Sequence, residues 1–266
     1  MGTITKALDL LNLFSRSHPA LKLGDFVRLS GRDKATVHRH LVELTENGFL
    51  EQDAQSRAYR LGPAILRLTA VREATMPMRS VVGPIVTRVA QEVGELVHFS
   101  LLQGSRLSPV FHADPGRHGT QVHFDEAEIL PLHATSSGLA VLAFAPEELR
   151  DAVRAGPLEP HASGALTDAA RLDAALAKTR QSGLGIIDKG FDDEVASVAA
   201  PVFGPDGGVV GALAIAVPIA RMSAAKRAEI RARLPGGVSQ ITDAIGGHLP
   251  AELARAWQAA ATAPAS

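Results

Sequence analysis

The segment from Leu21 to Leu44 constrains the fold more than any other, because it holds two short amphipathic stretches hinged on Ser30-Gly31. In the first, Leu23 to Leu29, Phe26 and Val27 turn inward, and glycine at 31 supplies the backbone angles of a tight turn. Asp33 is an N-cap for the second, which runs to about Asn47 before Gly48 ends it. Val37, Leu41 and Leu44 fall at i, i+4 and i+7 and so face a core. Lys34, Ala35, His38, Arg39 and Val42 then point outward, with Thr36 near the amino-terminal edge. Two helices set this way form a helix-turn-helix, whose second helix enters the major groove of duplex DNA.

The flanking residues complete this unit. Ile4, Leu8, Leu11 and Phe14 repeat at helical spacing, and His18-Pro19 breaks that helix. Phe49 to Gln52 and Ala58 to Leu61 read as strands around the polar turn Asp53 to Arg57, so the predicted domain is a winged helix. On the second helix Arg39 suits a bidentate contact to guanine, and Ala35 or Thr36 the methyl of thymine, with His38 on the same face. Arg28, Lys34 and Arg57 suit phosphates, which position without reading sequence. A helix pair with a charged face is equally compatible with a solvated surface for protein contacts, and the hairpin with Arg57 in the wing tips the reading to DNA. Charge agrees: the chain is −1 overall, but residues 1–75 carry 11 Lys+Arg against 8 Asp+Glu and the remainder 16 against 20. A phosphate footprint needs only local positive density.

Beyond the wing, Gly62-Pro63 opens a linker helix through about Thr75, and Pro77 with Gly83-Pro84 marks the handover to a second domain. There the pattern mixes both periods. Helices are predicted at Val81–Val93, Ser136–Phe144, Pro146–Ala155, Asp168–Ser182 and Ser223–Ile245. Strands are predicted at Leu96–Leu102, Leu107–His112, Gln121–Phe124, Leu184–Ile187, Val195–Phe203 and Val209–Val217. The expected fold class is α+β: a winged helix-turn-helix domain over 1–62, a linker helix over 63–78, an α/β domain over 79–248, and a tail over 249–266 frayed from Ala259 to Ser266.

Several stretches together resemble the isocitrate lyase regulator (IclR) family of bacterial transcriptional regulators. They are Ile4-Thr-Lys-Ala-Leu-Asp-Leu-Leu11, Lys34-Ala-Thr-Val-His-Arg-His-Leu41, Gly48-Phe49 and Tyr59-Arg-Leu-Gly62. Further on are Pro131-Leu-His-Ala-Thr135, Gly183-Leu-Gly185 and Ala199-Ala-Pro-Val-Phe203. The resemblance covers roughly residues 3 to 248. It implies that the second domain is GAF-like and binds an effector, and that the protein is a dimer or dimer of dimers on a double-stranded operator.

The effector seat read from the residues is the start of the helix after His133, where Ser136, Ser137 and Gly138 offer N–H groups and hydroxyls to a carboxylate. The alternative is that Thr135 or Ser136 merely caps that helix. The resemblance adds a pocket lined, in regulators of small oxo-acids, by an acidic residue, a cysteine and two serines. Ile187, Ser197, Ala214 and Ala216 stand at those positions here. Asp188 is a displaced acidic partner, although a strand neighbour points to the opposite face. Such a pocket would suit a larger, partly apolar organic acid, aromatic or branched, better than a small and densely polar one.

Other chemistry is less well supported. His112, His118 and His123 with Asp114, Asp125 and Glu126 match no fixed zinc spacing, so no metal and no cofactor is expected. Thr135-Ser136-Ser137-Gly138 lacks the glycine pattern of a nucleophile elbow, which leaves an enzyme domain fused to a helix-turn-helix as an alternative. Gly183-Leu-Gly185 lacks the third glycine of a dinucleotide site. Asp192-Asp193-Glu194 reads as a solvated loop that could screen a pocket mouth. A constitutive DNA binder without effector is a third alternative. Without cysteine, signal peptide or an apolar run long enough for a bilayer, the expected location is cytoplasmic, with no membrane partner.

Overall fold

The computed structural model describes residues 2–262 and divides between Pro77 and Met78 into two compact units. The first contains α1 (Thr3–Leu11), α2 (Leu23–Ser30), α3 (Lys34–Glu46), β1 (Leu50–Gln52), β2 (Tyr59–Leu61) and α4 (Pro63–Thr75). Gly31 ends α2 in the left-handed region, at φ 64°, and the Asp33 carboxylate accepts the Thr36 N–H at 2.8 Å to open α3. Phe26 sits at the centre, edge-on to Phe14 and Tyr59, with Leu10, Val37, Leu41 and Leu44 around it. The strands pair antiparallel, Leu50 opposite Leu61. Arg32, in the turn between α2 and α3, bonds the Asp9 carboxylate at 2.7 Å and the Lys6 carbonyl at 2.6 Å, tying the turn to α1.

The second unit is built on a six-stranded sheet. Its elements are α5 (Met78–Val93), β3 (Leu96–Gln103), β4 (Arg106–Ala113), β5 (Leu130–Pro131), α6 (Ser136–Phe144), α7 (Glu147–Ala155), α8 (Ala169–Ser182), β6 (Gly185–Asp188), β7 (Val195–Phe203), β8 (Val209–Pro218), α9 (Ala224–Ala244) and α10 (Ala251–Thr262). The strand order is β5-β4-β3-β8-β7-β6, every pair antiparallel. β7 and β8 are nearly continuous runs of buried Ala, Val, Ile and Leu, the pattern of strands covered on both faces. α5 and α9 pack together on the sheet, and α6 and α8 form another such pair. Leu213 points at Gly237 of α9, so its neighbours Ala214 and Ala216 point the other way.

Three expectations change. Gln121–Phe124 is not a strand: Val122, His123 and Phe124 run along the wall of a cavity, Val122 and Phe124 half-buried and His123 exposed, instead of joining a ladder; β5 takes the edge beside Arg106 and Leu107. The handover falls at Pro77 alone, and Gly83-Pro84 lies inside α5, Gly83 against the Phe111 ring. The tail is not a tail through most of its length. α10 buries Leu253 and Trp257, and the Trp257 indole N–H donates to the Ser182 carbonyl at 3.3 Å. Both side chains press on Gly183, where a Cβ would have no room. Of the stretch expected to fray, residues 263–266 lie outside the described residues.

Candidate functional site

Two surfaces carry chemistry, one in each unit. On α3, burying Val37, His40, Leu41 and Leu44 turns Lys34, Ala35, His38, Arg39 and Val42 to the exterior, with Thr36 half-buried beside its cap. Among the described residues, Lys34 and Arg39 enter no ion pair, so both charges are available to a ligand. Arg28 is engaged with Asp25 at 3.1 Å, an exposed pair of little worth that a phosphate could replace. Arg57 lies at the tip of the wing with a left-handed backbone, φ 59°, held by the Arg57 N–H to Asp53 carbonyl bond. One residue of this helix has no counterpart in the sequence reading. His40 is buried with no partner for its Nε2 among the described residues, and burial, then the Arg39 and Arg32 charges, lower its pKa.

In the second unit a cavity of about 560 Å³ lies at the start of α6, well within the size of small-molecule sites. Ser136, Ser137, Ile187, Ser197 and Ala216 line it together. Thr135 is the cap: its Oγ1 accepts the Gly138 N–H at 3.0 Å and donates to the Pro131 carbonyl at 2.9 Å. Ser137 is 1% exposed and its Oγ has no partner among the described residues. A buried hydroxyl left unsatisfied beside the open N–H groups of a helix start is a strong local demand for an acceptor.

Gly138, Asp188 and Ala214 do not line the cavity. The Gly138 N–H is taken by the cap, and its α-carbon packs on the Leu132 backbone. The Asp188 carboxylate leaves on the other face of β6 to pair with Arg227 at 3.0 Å. Ala214 sits mid-sheet between His98 of β3 and Ala199 of β7.

The cavity is more polar than the sequence reading allowed. His98, His123, His161, Glu128, Thr135, Asp192 and Asp193 also line it. His98 is bonded to Ser100 Oγ at 3.2 Å and stacked on Phe124 at 4.4 Å between ring centroids. Burial, then the neighbouring His112, lowers its pKa to about 3, so the imidazole is neutral. His161 lies against Phe191 at 5.1 Å, and burial lowers its pKa as well. Two aromatic rings, Phe124 and Phe191, therefore line the cavity. His133 is turned away to the Glu159 carbonyl at 2.9 Å and so activates neither serine. The histidines considered together for a metal go to separate partners: His112 to Glu126 at 2.7 Å, His118 toward Glu95 at 3.8 Å, and His123 to the cavity.

Comparison with known proteins accounts for both units. Residues 3–54 match the model for the IclR helix-turn-helix domain, and residues 73–243 match that for the C-terminal part of bacterial transcriptional regulator IclR. The HTH-type transcriptional regulator KipR of Bacillus subtilis is 28% identical over 245 residues, covering 92% of this chain and 97% of that protein. A Silicibacter protein whose crystal structure is described as that of an IclR transcriptional regulator is 43% identical, with a TM-score of 0.86 over 94% of this chain and 99% of that one. An IclR homologue of Microbacterium hydrocarbonoxydans, solved in complex with 4-hydroxybenzoate, is 24% identical with a TM-score of 0.70, covering 92% and 99%.

Proposed function

The chain belongs to the IclR family of bacterial transcriptional regulators, and from that premise we propose that it binds an operator as a homo-oligomer and answers an aromatic or other partly apolar organic acid. The observation that carries the DNA-reading part is the outer face of α3, where Arg39 and Lys34 stand exposed and unpaired on a helix fixed from behind by Val37 and Leu41. Arg39 reads base edges, Ala35 and Thr36 pack on thymine methyls, and Arg28, Lys34 and Arg57 hold phosphates.

Mutation separates these roles. Arg39→Ala should weaken the cognate site by about 1–3 kcal/mol and relax its specificity. Lys34→Ala should weaken all sequences alike and reduce the slope of log affinity against log salt by about 1. Fluorescence anisotropy on a site recovered by genome-fragment pull-down, beside random DNA, checks both. Equal losses on both DNAs for the two variants would reject the assignment.

The homo-oligomer reading rests on apolar side chains that the first unit leaves open. Ile4 is 76% exposed on α1 and Leu66 74% on α4, with Leu8, Leu61 and Val71 also exposed. A second copy covering them would present two copies of α3 to a two-fold operator. Ile4→Glu with Leu66→Glu should shift sedimentation toward the monomer; an unchanged coefficient would place the interface elsewhere.

For the effector, the Ser136 and Ser137 end of α6 receives the carboxylate, and Phe124, Phe191, Ile187 and Ala216 enclose the body. The 4-hydroxybenzoate bound by the Microbacterium homologue supports an aromatic acid. Tighter calorimetric binding of pyruvate or glyoxylate than of benzoates would overturn this choice. The effector acts only through unequal affinity for the two DNA-binding states, and α4, which joins the two units, is the coupling element in this reading.

A further inference from the structure

The lining of the cavity at the start of α6 carries two electrostatically different groups. Among the described residues the Ser137 hydroxyl is buried without a partner, next to the positive end of the helix. Glu128, Asp192 and Asp193 line the same cavity from outside α6, with neither lysine nor arginine among the lining residues. Neither His98, which is neutral, nor His161, whose pKa is lowered, offsets these carboxylates with a fixed charge; the lining histidine that acts on Glu128 is His123.

The three acids are not equally free. Asp193 accepts the Ser163 N–H at 2.9 Å and the Ser163 hydroxyl at 2.5 Å, and Asp192 accepts the Glu194 N–H at 2.8 Å. Glu128 accepts no hydrogen bond from the described residues. Burial, then the Asp125 and Asp192 charges, raise its pKa against the opposing influence of His123. Glu128, Asp192 and Asp193 are exposed at the edge of the cavity, where solvent screens their repulsion in the empty protein, and a cationic donor brought by the ligand meets an unpaired carboxyl there.

We propose that the effector carries a cationic group, such as an ammonium, at the end away from its carboxylate, and that Glu128 selects it. This rests on the acid-effector reading above. The carboxylate meets Ser136 and Ser137, and the cation faces Glu128 with Asp192 beside it. A second carboxylate at that end would instead meet acids of its own sign, so dicarboxylates are rejected by the same residue.

Calorimetry on the full chain at pH 7 tests this with three probes sharing one ring: 4-(aminomethyl)benzoate, 4-methylbenzoate and terephthalate. The first should bind about tenfold more tightly than the second, with terephthalate weakest. Glu128→Gln should close the gap between the first two to under about threefold. Glu128→Lys should reverse the order and favour terephthalate, a gain that misfolding cannot produce. The proposal is overturned if 4-methylbenzoate or terephthalate equals the aminomethyl acid, or if Glu128→Gln leaves the gap intact. Failure of all three to bind would overturn the aromatic-acid reading beneath it.

Discussion

Replacing Gly138 by alanine should destabilise the effector domain and weaken effector binding together. A Cβ at 138 would fall under 3.0 Å from three Leu132 backbone atoms, its carbonyl oxygen among them, and backbone cannot rotate aside as a side chain can. Overpacking costs about 1–3 kcal/mol where neighbours can adjust, and this site belongs at or above the top of that range. At 3 kcal/mol the thermal transition of this domain should fall by roughly 6–12 °C. Because the clash is at the third residue of α6, relief requires moving the helix start, and Ser136 and Ser137 move with it. The control is Gly236→Ala in α9, where a Cβ meets nothing within 4 Å. That change should be neutral or stabilising by up to about 1 kcal/mol, since alanine is the better helix former. Scanning calorimetry and effector titration on both variants check the contrast. A Gly138→Ala protein as stable as the parent would show that the Leu132 turn is adaptable.

What was legible in the sequence follows from the range over which each signal acts. The helix-turn-helix was readable because its determinants are local: the Gly31 turn, the Asp33 cap, and Val37, Leu41 and Leu44 on one stripe. Ser136 and Ser137 were readable for the same reason, as hydroxyls at a helix start. His98 was not, because it lies in the apolar run Leu96–Leu102, and only tertiary folding brings Phe124 onto its ring. Phe124 itself was misread with its neighbours as a strand. A loop that alternately buries side chains in a cavity imitates the period of a ladder. Glu128 and His161 were missed because nothing near them in sequence marks a cavity wall. Ala214 enters with Ala216 through the family resemblance, and the two share a face of β8, yet a shared face does not set the distance along the strand from the cavity. α10 reads as tail in the sequence because its alanines obscure the stripe that Leu253 and Trp257 supply, and its partner Gly183 is distant along the chain.

Mild acidification should destabilise the effector domain through His98. The folded pKa of about 3 lies below the ordinary histidine value of 6.5, so as pH falls the unfolded chain binds the proton first and stability declines. The contribution is fully present above 6.5 and is lost progressively as pH falls toward 3. Between pH 7 and 5 the loss from this residue amounts to about 2 kcal/mol. His161, whose pKa is also lowered by burial and by His133, adds to it in the same direction. Carboxylates dominate below that interval, which is why the measurement stops at pH 5. Urea unfolding of the effector-domain transition at pH 7, 6 and 5 measures the slope. His98→Phe should flatten most of it, whatever the variant loses at pH 7 by leaving the Ser100 hydroxyl without its partner. The slope is the discriminating quantity, because packing damage lowers stability equally at every pH while a removed proton site changes only its pH dependence. An unchanged slope in His98→Phe would mean that His98 takes up its proton within the fold. The cavity floor would then carry a cation, and the carboxylate of the effector would have a second place to bind.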